Sequence, residues 1–445
     1  MKIPLLMNTS LRAYLDALRH FPLATLETPQ HYFRRPGKDF TRTRVLHLER
    51  VAWLCVTLLK CTLCVELDQF FSWLNRPECC PTKSALVQAR QKLLPPFFRD
   101  FFQFSAAAYY HCFKIKRWKG FRLWATDGTG FRLPDEPELG QTFGWHGNQH
   151  NRVPSTRMLV CYDLLNQIIT AAQFHTRHVA EIVMAMRSIA QIPKDVLMVY
   201  DRAYGSHIIP FLHLFYGSNC VIRMPIHTSN TVKAFVKSVK NQIIITERLQ
   251  LRARLALREL GIAATYQTTI TYRLIRIILP NGQTEVLLTT LVDKKRFHWP
   301  QFGEIYRKRW GIESCFFVIK SFFQLANFSA YTINNCWQDI YCHFILYNIQ
   351  TALHQPLEIR IRQLNRHRLH DYKPNRNVSA GLLKRFLVKF TQCPFEELAT
   401  HLEDYYRQIL QTMEPTRPGK NKERRRRLMR GTERHTHEKN YRRTF

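Results

Sequence analysis

The chain has 445 residues, 45% of them hydrophobic and 13% aromatic, with 16 Gly and 21 Pro; that supports more than one packed domain and excludes a disordered chain. With 66 Lys and Arg against 33 Asp and Glu the formal charge is +33, more than solubility requires, and it points to a polyanion partner, of which nucleic acid is the commonest. The stretch from Arg417 to Phe445 holds twelve Lys or Arg and three Glu, so it carries +9 of the total and the remaining +24 makes the body itself basic.

The twelve Cys are scattered through apolar segments, as at Cys55, Cys112, Cys161, Cys220, Cys315 and Cys342, which fits reduced thiols in a cytosolic protein. Cys61-x2-Cys64 followed by Cys79 and Cys80 sits in an apolar helical run with no accompanying His and makes a poor zinc site. No continuous apolar core opens the chain, so no signal peptide is expected. The run Val51–Leu59 resumes only after Lys60 and is too short to span a bilayer. The expectation is a cytoplasmic, nucleoid-associated protein without a membrane partner.

In chain order, residues 1–117 read as helical, with apolar periodicity over 52–74 and 84–104. Between them Asn75–Thr82 is a turn, and Thr82 is placed to cap a helix carrying Lys83, Gln88, Arg90, Gln91 and Lys92. A turn between two helices, the second bearing basic and amide groups, fits a DNA-binding region. At Gly120 the texture changes to strands. Runs at 121–126, 157–163 and 167–174 predict an antiparallel three-strand meander; 179–190 is helical; 195–200 is a continuous apolar strand closed by Asp201. A further helix and the short strand 220–224 follow. The order strand-strand-strand-helix-strand-helix-strand is that of an α/β fold of the ribonuclease-H-like type, first part 118–225. Strand-like runs at 242–246, 268–279 and 284–291, with a turn at Asn281-Gly282, make 226–300 a β-rich insertion. The closing helices fall in 301–355, the last catalytic one over 302–320. Residues 356–445 form a helical C-terminal region ending in a basic tail, with Lys420–Arg430 expected as a disordered arm.

The stretch Ile305–Lys320 reads IYRKRWGIESCFFVIK, so Tyr306, Arg309, Glu313 and Lys320 follow the pattern Y-x2-R-x3-E-x6-K. On one continuous helix, at about 100° per residue, Tyr306 lies roughly 20° to one side of Glu313, and Arg309 and Lys320 about 40° and 20° to the other. The rest of the circumference is largely apolar, which places the helix in an interior, where such a stripe is costly unless paired. On the helix alone it is either an internal ladder with Arg309 bonded to Glu313 or a cleft wall whose cations await DNA; the acids upstream favour the second, so loss of Arg309 or Lys320 is expected to leave the melting temperature nearly unchanged.

Asp127 is expected to end the first strand and Asp201 the fourth, strands that neighbour one another in this fold, with Glu313 on the helix beside them. Taken singly, Asp127-Gly128 is a common turn pair and Asp201 a helix cap. Taken together, three carboxylates at one point need cations, and hard oxygen ligands suit Mg²⁺ or Mn²⁺. Two such ions about 4 Å apart serve phosphodiester chemistry, so the reaction class is phosphoryl transfer on DNA.

With Asp127-Gly-Thr129, Arg132-Leu-Pro-Asp135, Phe143-Gly144, Asp201-Arg-Ala-Tyr-Gly-Ser206, Arg273-Leu-Ile-Arg276 and Glu285–Asp293 preceding the Tyr-Arg-Glu-Lys stretch, the chain resembles the DDE transposases of the bacterial insertion-sequence IS-four family. The resemblance covers about residues 80–350, including Ser84–Arg90, which looks like the family's N-terminal element. It implies that Asp127, Asp201 and Glu313 are the catalytic, metal-binding triad, and that Tyr306, Arg309 and Lys320 hold phosphates and end nucleotides of the transposon. It also implies an enzyme that binds terminal inverted repeats and cleaves and transfers strands, as a homodimer on transposon ends and target. Some relatives pass through a DNA hairpin with a base flipped onto an aromatic; Trp299 is merely near the right region. A transposase-derived DNA-binding protein without chemistry is disfavoured by the intact acids. A nuclease on the same fold is disfavoured by the Tyr-Arg-Glu-Lys stripe and the long insertion.

Overall fold

A computed structural model of the chain describes residues 8–42, 44–148, 151–176, 178–227 and 229–416; the basic arm expected over Lys420–Arg430 lies outside the described residues. The chain divides into two compact units. One is helical and draws on residues up to Phe113, on Val318–Ala330 and on residues from Asn334 onward; the other holds Lys114–Phe317 with Tyr331–Ile333.

In the helical unit each of the two long N-terminal helices read from periodicity is divided. The first is Leu48–Val56 and Leu63–Trp73, the second Lys83–Arg90 and Pro95–Cys112. The second break follows from Pro95 and Pro96: a proline lacks the N–H that an interior helical residue donates, but fits the first helical turn, and there a new helix starts. Thr82 caps Lys83–Arg90, its hydroxyl accepting from the Ala85 N–H at 3.2 Å. Lys83 and Gln88 are exposed, but Arg90 does not join them as a DNA-facing cation. It is 1% exposed, and its guanidinium donates to Asp339 Oδ1 at 2.9 Å, Gln338 Oε1 at 3.1 Å and Ser329 Oγ at 2.7 Å. Gln338 and Asp339 belong to the helix Ile333–Leu364, which buries nearly every residue from Asn335 to Leu357. A helix buried all round is an interior helix, and the polar groups it takes inside must be paired.

The second unit is built on one sheet of nine strands: β1 Arg122–Arg132, β2 Trp145–Asn148, β3 Asn151–Asp163, β4 Ile168–His175, β5 Val196–Tyr200, β6 Asn219–Met224, β7 Gln242–Arg248, β8 Thr269–Ile278 and β9 Thr284–Thr289. Their order is β2-β3-β1-β5-β6-β9-β8-β7, with β4 also on β3. β1, β3 and β4 are antiparallel, and β5 and β6 run parallel to β1. The insertion strands β7–β9 extend this same sheet, β9 pairing antiparallel with β6, a continuity that periodicity alone did not reveal. Because strand side chains alternate faces, Leu123, Leu197, Val199, Val221, Ile275 and Leu287 form one apolar face. Phe302, Ile305 and Tyr306 of the helix Gln301–Lys308 seal it. The other face carries the helices Glu181–Ser188 and Ile208–Tyr216, which pack on β1, β3 and β6. No described helix is long and apolar enough to cross a membrane.

Arg90→Met leaves Asp339 buried without its cation, and breaking such a pair costs about 3–5 kcal/mol. Urea unfolding of the variant measures it; a loss below about 1 kcal/mol would show that the Arg90 network holds nothing together.

Candidate active site

Asp127 does not end its strand. β1 continues through Gly128 to Arg132, paired with β3 along its length, and Asp127 stands opposite Val160. Asp127-Gly128 is therefore no turn. The glycine is needed for another reason: a Cβ there would lie 2.1 Å from the carboxyl carbon of Glu181, so the missing side chain lets the first residue of the Glu181–Ser188 helix press onto the sheet beside Asp127. Asp201 follows β5 immediately. The parallel register pairs Arg122 with Val196 and Ala125 with Val199; carried two residues further it sets Asp127 level with Asp201. The Asp201 carboxylate caps the short turn Arg202–Tyr204 by accepting from the Ala203 N–H at 2.8 Å.

The expected continuous helix 302–320 is broken twice. Gln301–Lys308 ends at Arg309, Gly311–Phe317 restarts after one turn, and Val318–Phe322 is π-helical. The even rotation assumed for the stripe thus does not run through to Lys320. Its central pair survives: Arg309 Nη2 lies 3.2 Å from Glu313 Oε1, and Nη1 lies 3.8 Å from Asp127 Oδ2. The Gly311–Phe317 helix packs on β1, which brings Glu313 toward Asp127. Arg309 is 6% exposed, so it is no cation waiting in an open cleft. Its guanidinium also lies over the rings of Tyr306, at 6.0 Å, and Trp310, at 5.1 Å. The Tyr306 ring belongs to the buried apolar face, and burial raises its hydroxyl pKa. Lys320 falls in the π-helical segment at the start of the other unit's share of the chain. Burial pulls its ammonium pKa below the ordinary value. Trp299 is packed, half-buried, against the sheet core.

The acids do not bear their charge equally. Burial pushes the Asp127 carboxyl up to about 6, against the opposing pull of the Gly128 N–H, which donates to it at 2.8 Å, and of Arg309; Asp201 and Glu181 push the same way as burial. One arginine shared between two carboxylates leaves a local excess of negative charge. Among the described residues no three Asp, Glu, His or Cys side chains already converge as a ligand set. The donor chemistry nonetheless fits a hard divalent cation: oxygen ligands only, and more carboxylate charge than the guanidinium neutralises. Two groups escaped the sequence reading. Glu181 is an unremarkable first-turn acid by sequence, revealed only by the crossing at Gly128. Tyr204 stands in the quoted Asp201–Ser206 motif without a role.

A carboxyl whose folded pKa lies above the unfolded value of 3.8 binds more protons folded than unfolded between pH 3.8 and about 6. Its contribution to stability is therefore full below that window and lost as pH rises through it. In chelator, Asp127→Asn is expected to match wild type near pH 4 and to exceed it by about 2 kcal/mol above pH 7, as measured by denaturant unfolding across pH. A stability difference independent of pH would show that Asp127 titrates normally.

The transposase DDE domain family matches residues 118–349, a span that includes Asp127, Asp201 and the whole Tyr-Arg-Glu-Lys stretch. The chain is 27% identical over 324 residues to the transposase InsG for insertion sequence element IS4 of Escherichia coli K12, covering 71% of this chain and 69% of that one. It is 30% identical over 132 residues to the putative transposase InsZ of the same organism, covering 28% of this chain and 43% of the relative. Among solved structures, the piggyBac transposase synaptic complex with hairpin DNA aligns over 92% of this chain and 82% of its own, at 7% identity and a TM-score of 0.43. With the family's domain spanning just over half of the residues and an IS4-element relative aligned over 71% of the chain, the chain belongs to the DDE transposases of the IS4 family, enzymes that cleave and transfer DNA strands.

Proposed function

We propose that the sheet unit is a ribonuclease-H-like core in which Asp127, Asp201 and Glu313 are the catalytic acids and hold Mg²⁺ or Mn²⁺, as two ions. The strand succession β4-β3-β1-β5-β6, an antiparallel meander followed by two strands parallel to its first, supports the fold reading. The observation that carries the site is the Arg309 bridge, which ties an acid on β1 to an acid on a separate helix beside a strand whose last residue precedes a third. When bound, the ions activate the attacking hydroxyl and stabilise the leaving oxygen of a phosphodiester.

The protein's own groups do the rest. Lys320 neutralises phosphate flanking the scissile bond, and Arg309 does so from its enclosed place between two carboxylates, whose charge it then shares with the DNA; Tyr306, seated in the sheet core, positions Arg309 and meets an end nucleotide. The functional division is an N-terminal DNA-binding region over 1–117, the core over 118–225 and 301–355, the β-rich insertion over 226–300, and a helical C-terminal region over 356–445. The groove lined by Arg34, Arg35, Asp39, Gln88, Gln91 and Lys92 supports the N-terminal assignment. The partners are the transposon ends and target DNA, engaged by a homodimer, in a cytoplasmic, nucleoid-associated protein.

Asp127→Ala, Asp201→Ala and Glu313→Ala should each abolish Mg²⁺-dependent cleavage of a DNA fragment carrying the element's own ends while leaving end binding largely intact, since metal chemistry and phosphate docking use different groups. Residual cleavage within about tenfold of wild type removes that residue from the triad. Arg309→Ala should weaken end binding and also lower the melting temperature, because two carboxylates lose their shared partner; a stability loss with unchanged end binding returns Arg309 to a purely structural ladder.

A further inference from the structure

Tyr204 closes the short turn that Asp201 caps. It is 1% exposed, and its hydroxyl has no hydrogen-bond partner. Buried hydroxyls are rarely left so, and each exception calls for an explanation. Its neighbour Tyr200 marks the contrast: the two rings lie 5.2 Å apart, yet the Tyr200 hydroxyl is joined to His213 Nε2 at 2.8 Å. The Tyr204 turn cannot readily slide to find a partner. A Cβ on Gly205 would come within 2.6 Å of the Pro225 ring, so the backbone is pressed against the segment that follows β6. The charged groups acting on the Tyr204 hydroxyl are the carboxylates of Glu181, Asp127 and Asp201; with burial as the larger cause, they raise its pKa. The proton therefore stays on the oxygen, and the side chain is a buried donor within electrostatic reach of these acids.

Glu181 reaches that group from the opposite side of β1, over Gly128, and its other charged neighbour is Arg157, 3.8 Å away. An acid cluster alone specifies nothing. A fully buried donor without an acceptor, held one turn from Asp201, is an independent sign that an oxygen belongs there. We propose that Tyr204 is a positioning residue of the metal site: its hydroxyl donates a hydrogen bond to an oxygen in the coordination sphere of a divalent cation held by Asp127 and Asp201. The inference rests on the metal reading given above and adds to it the group that orients the ion's ligands.

The test is Mn²⁺ binding by calorimetric titration of the full-length protein, with thermal melts in EDTA, for wild type, Tyr204→Phe, Asp201→Ala and Tyr14→Phe. Tyr14 is the control, since its buried hydroxyl is likewise without a partner but the groups acting on it are the Tyr109 hydroxyl and the Cys112 thiol and include no carboxylate. Tyr204→Phe should melt in EDTA at or above the wild-type temperature, having lost an unpaired hydroxyl, and should bind Mn²⁺ about tenfold more weakly. Tyr14→Phe should bind Mn²⁺ as wild type does. If Tyr204→Phe keeps wild-type affinity while Asp201→Ala loses it, the metal site stands and the role of Tyr204 falls. A drop in melting temperature in EDTA with unchanged affinity makes Tyr204 a structural residue. If wild type binds no Mn²⁺, or Asp201→Ala binds as well as wild type, the metal reading fails and the Tyr204 proposal with it.

Discussion

The buried guanidinium of Arg309 is the constraint on which the candidate site depends. It is the cation that lets Glu313 stand beside Asp127, and it reaches both from the break between two short helices. A lysine could not serve in the same way: the planar fork presents separate N–H groups to two carboxylates and keeps its charge when buried. The bridge is nevertheless incomplete, since one positive charge faces at least two negative ones. Burial raises the Asp127 carboxyl, with Asp201 and Glu181 pushing the same way and the Gly128 N–H and Arg309 pulling against it.

Beneath that bridge the geometry is set by the sheet. A parallel β1–β5 pair brings residues distant in sequence to the same level, and the apolar face shared by β1, β5, β6, β8 and β9 anchors the Gln301–Lys308 helix through Phe302, Ile305 and Tyr306. The stiffness that positions the acids is therefore hydrophobic in origin, as packed interiors tolerate little displacement. Polar groups buried in either unit are costly unless they are paired. Arg90 has three acceptors. The Tyr204 hydroxyl has none, and unlike that of Tyr14 it lies within reach of carboxylates.

The helical regions illustrate how local chemistry revises periodicity. Apolar repeats over 52–74 and 84–104 ran straight through two helix breaks, because a hydrophobic stripe continues across such a break whenever both pieces face the same core. The proline pair at 95–96 was the legible signal for one of them. Likewise Arg90 looked like one more basic residue on an outward face, and only its neighbours from the helix Ile333–Leu364 showed it to be interior.

Most of the strands, the meander and the family were legible in the sequence by itself, because alternation and the Tyr-Arg-Glu-Lys spacing are local patterns that survive without knowledge of the fold; the same patterns marked Asp127, Asp201 and Glu313 as candidates. Tertiary structure alone decided the continuation of β1 past Asp127, the merging of β7–β9 into the same sheet, the breaks in the 301–322 helix, the approach of Glu181 to Gly128 and the burial of the Tyr204 hydroxyl. Each depends on contacts between residues far apart in the chain. Gly128 states the difference most plainly: its neighbour Asp127 invited a turn, whereas the absent side chain serves Glu181, more than fifty residues on, whose carboxyl occupies the space a Cβ would fill.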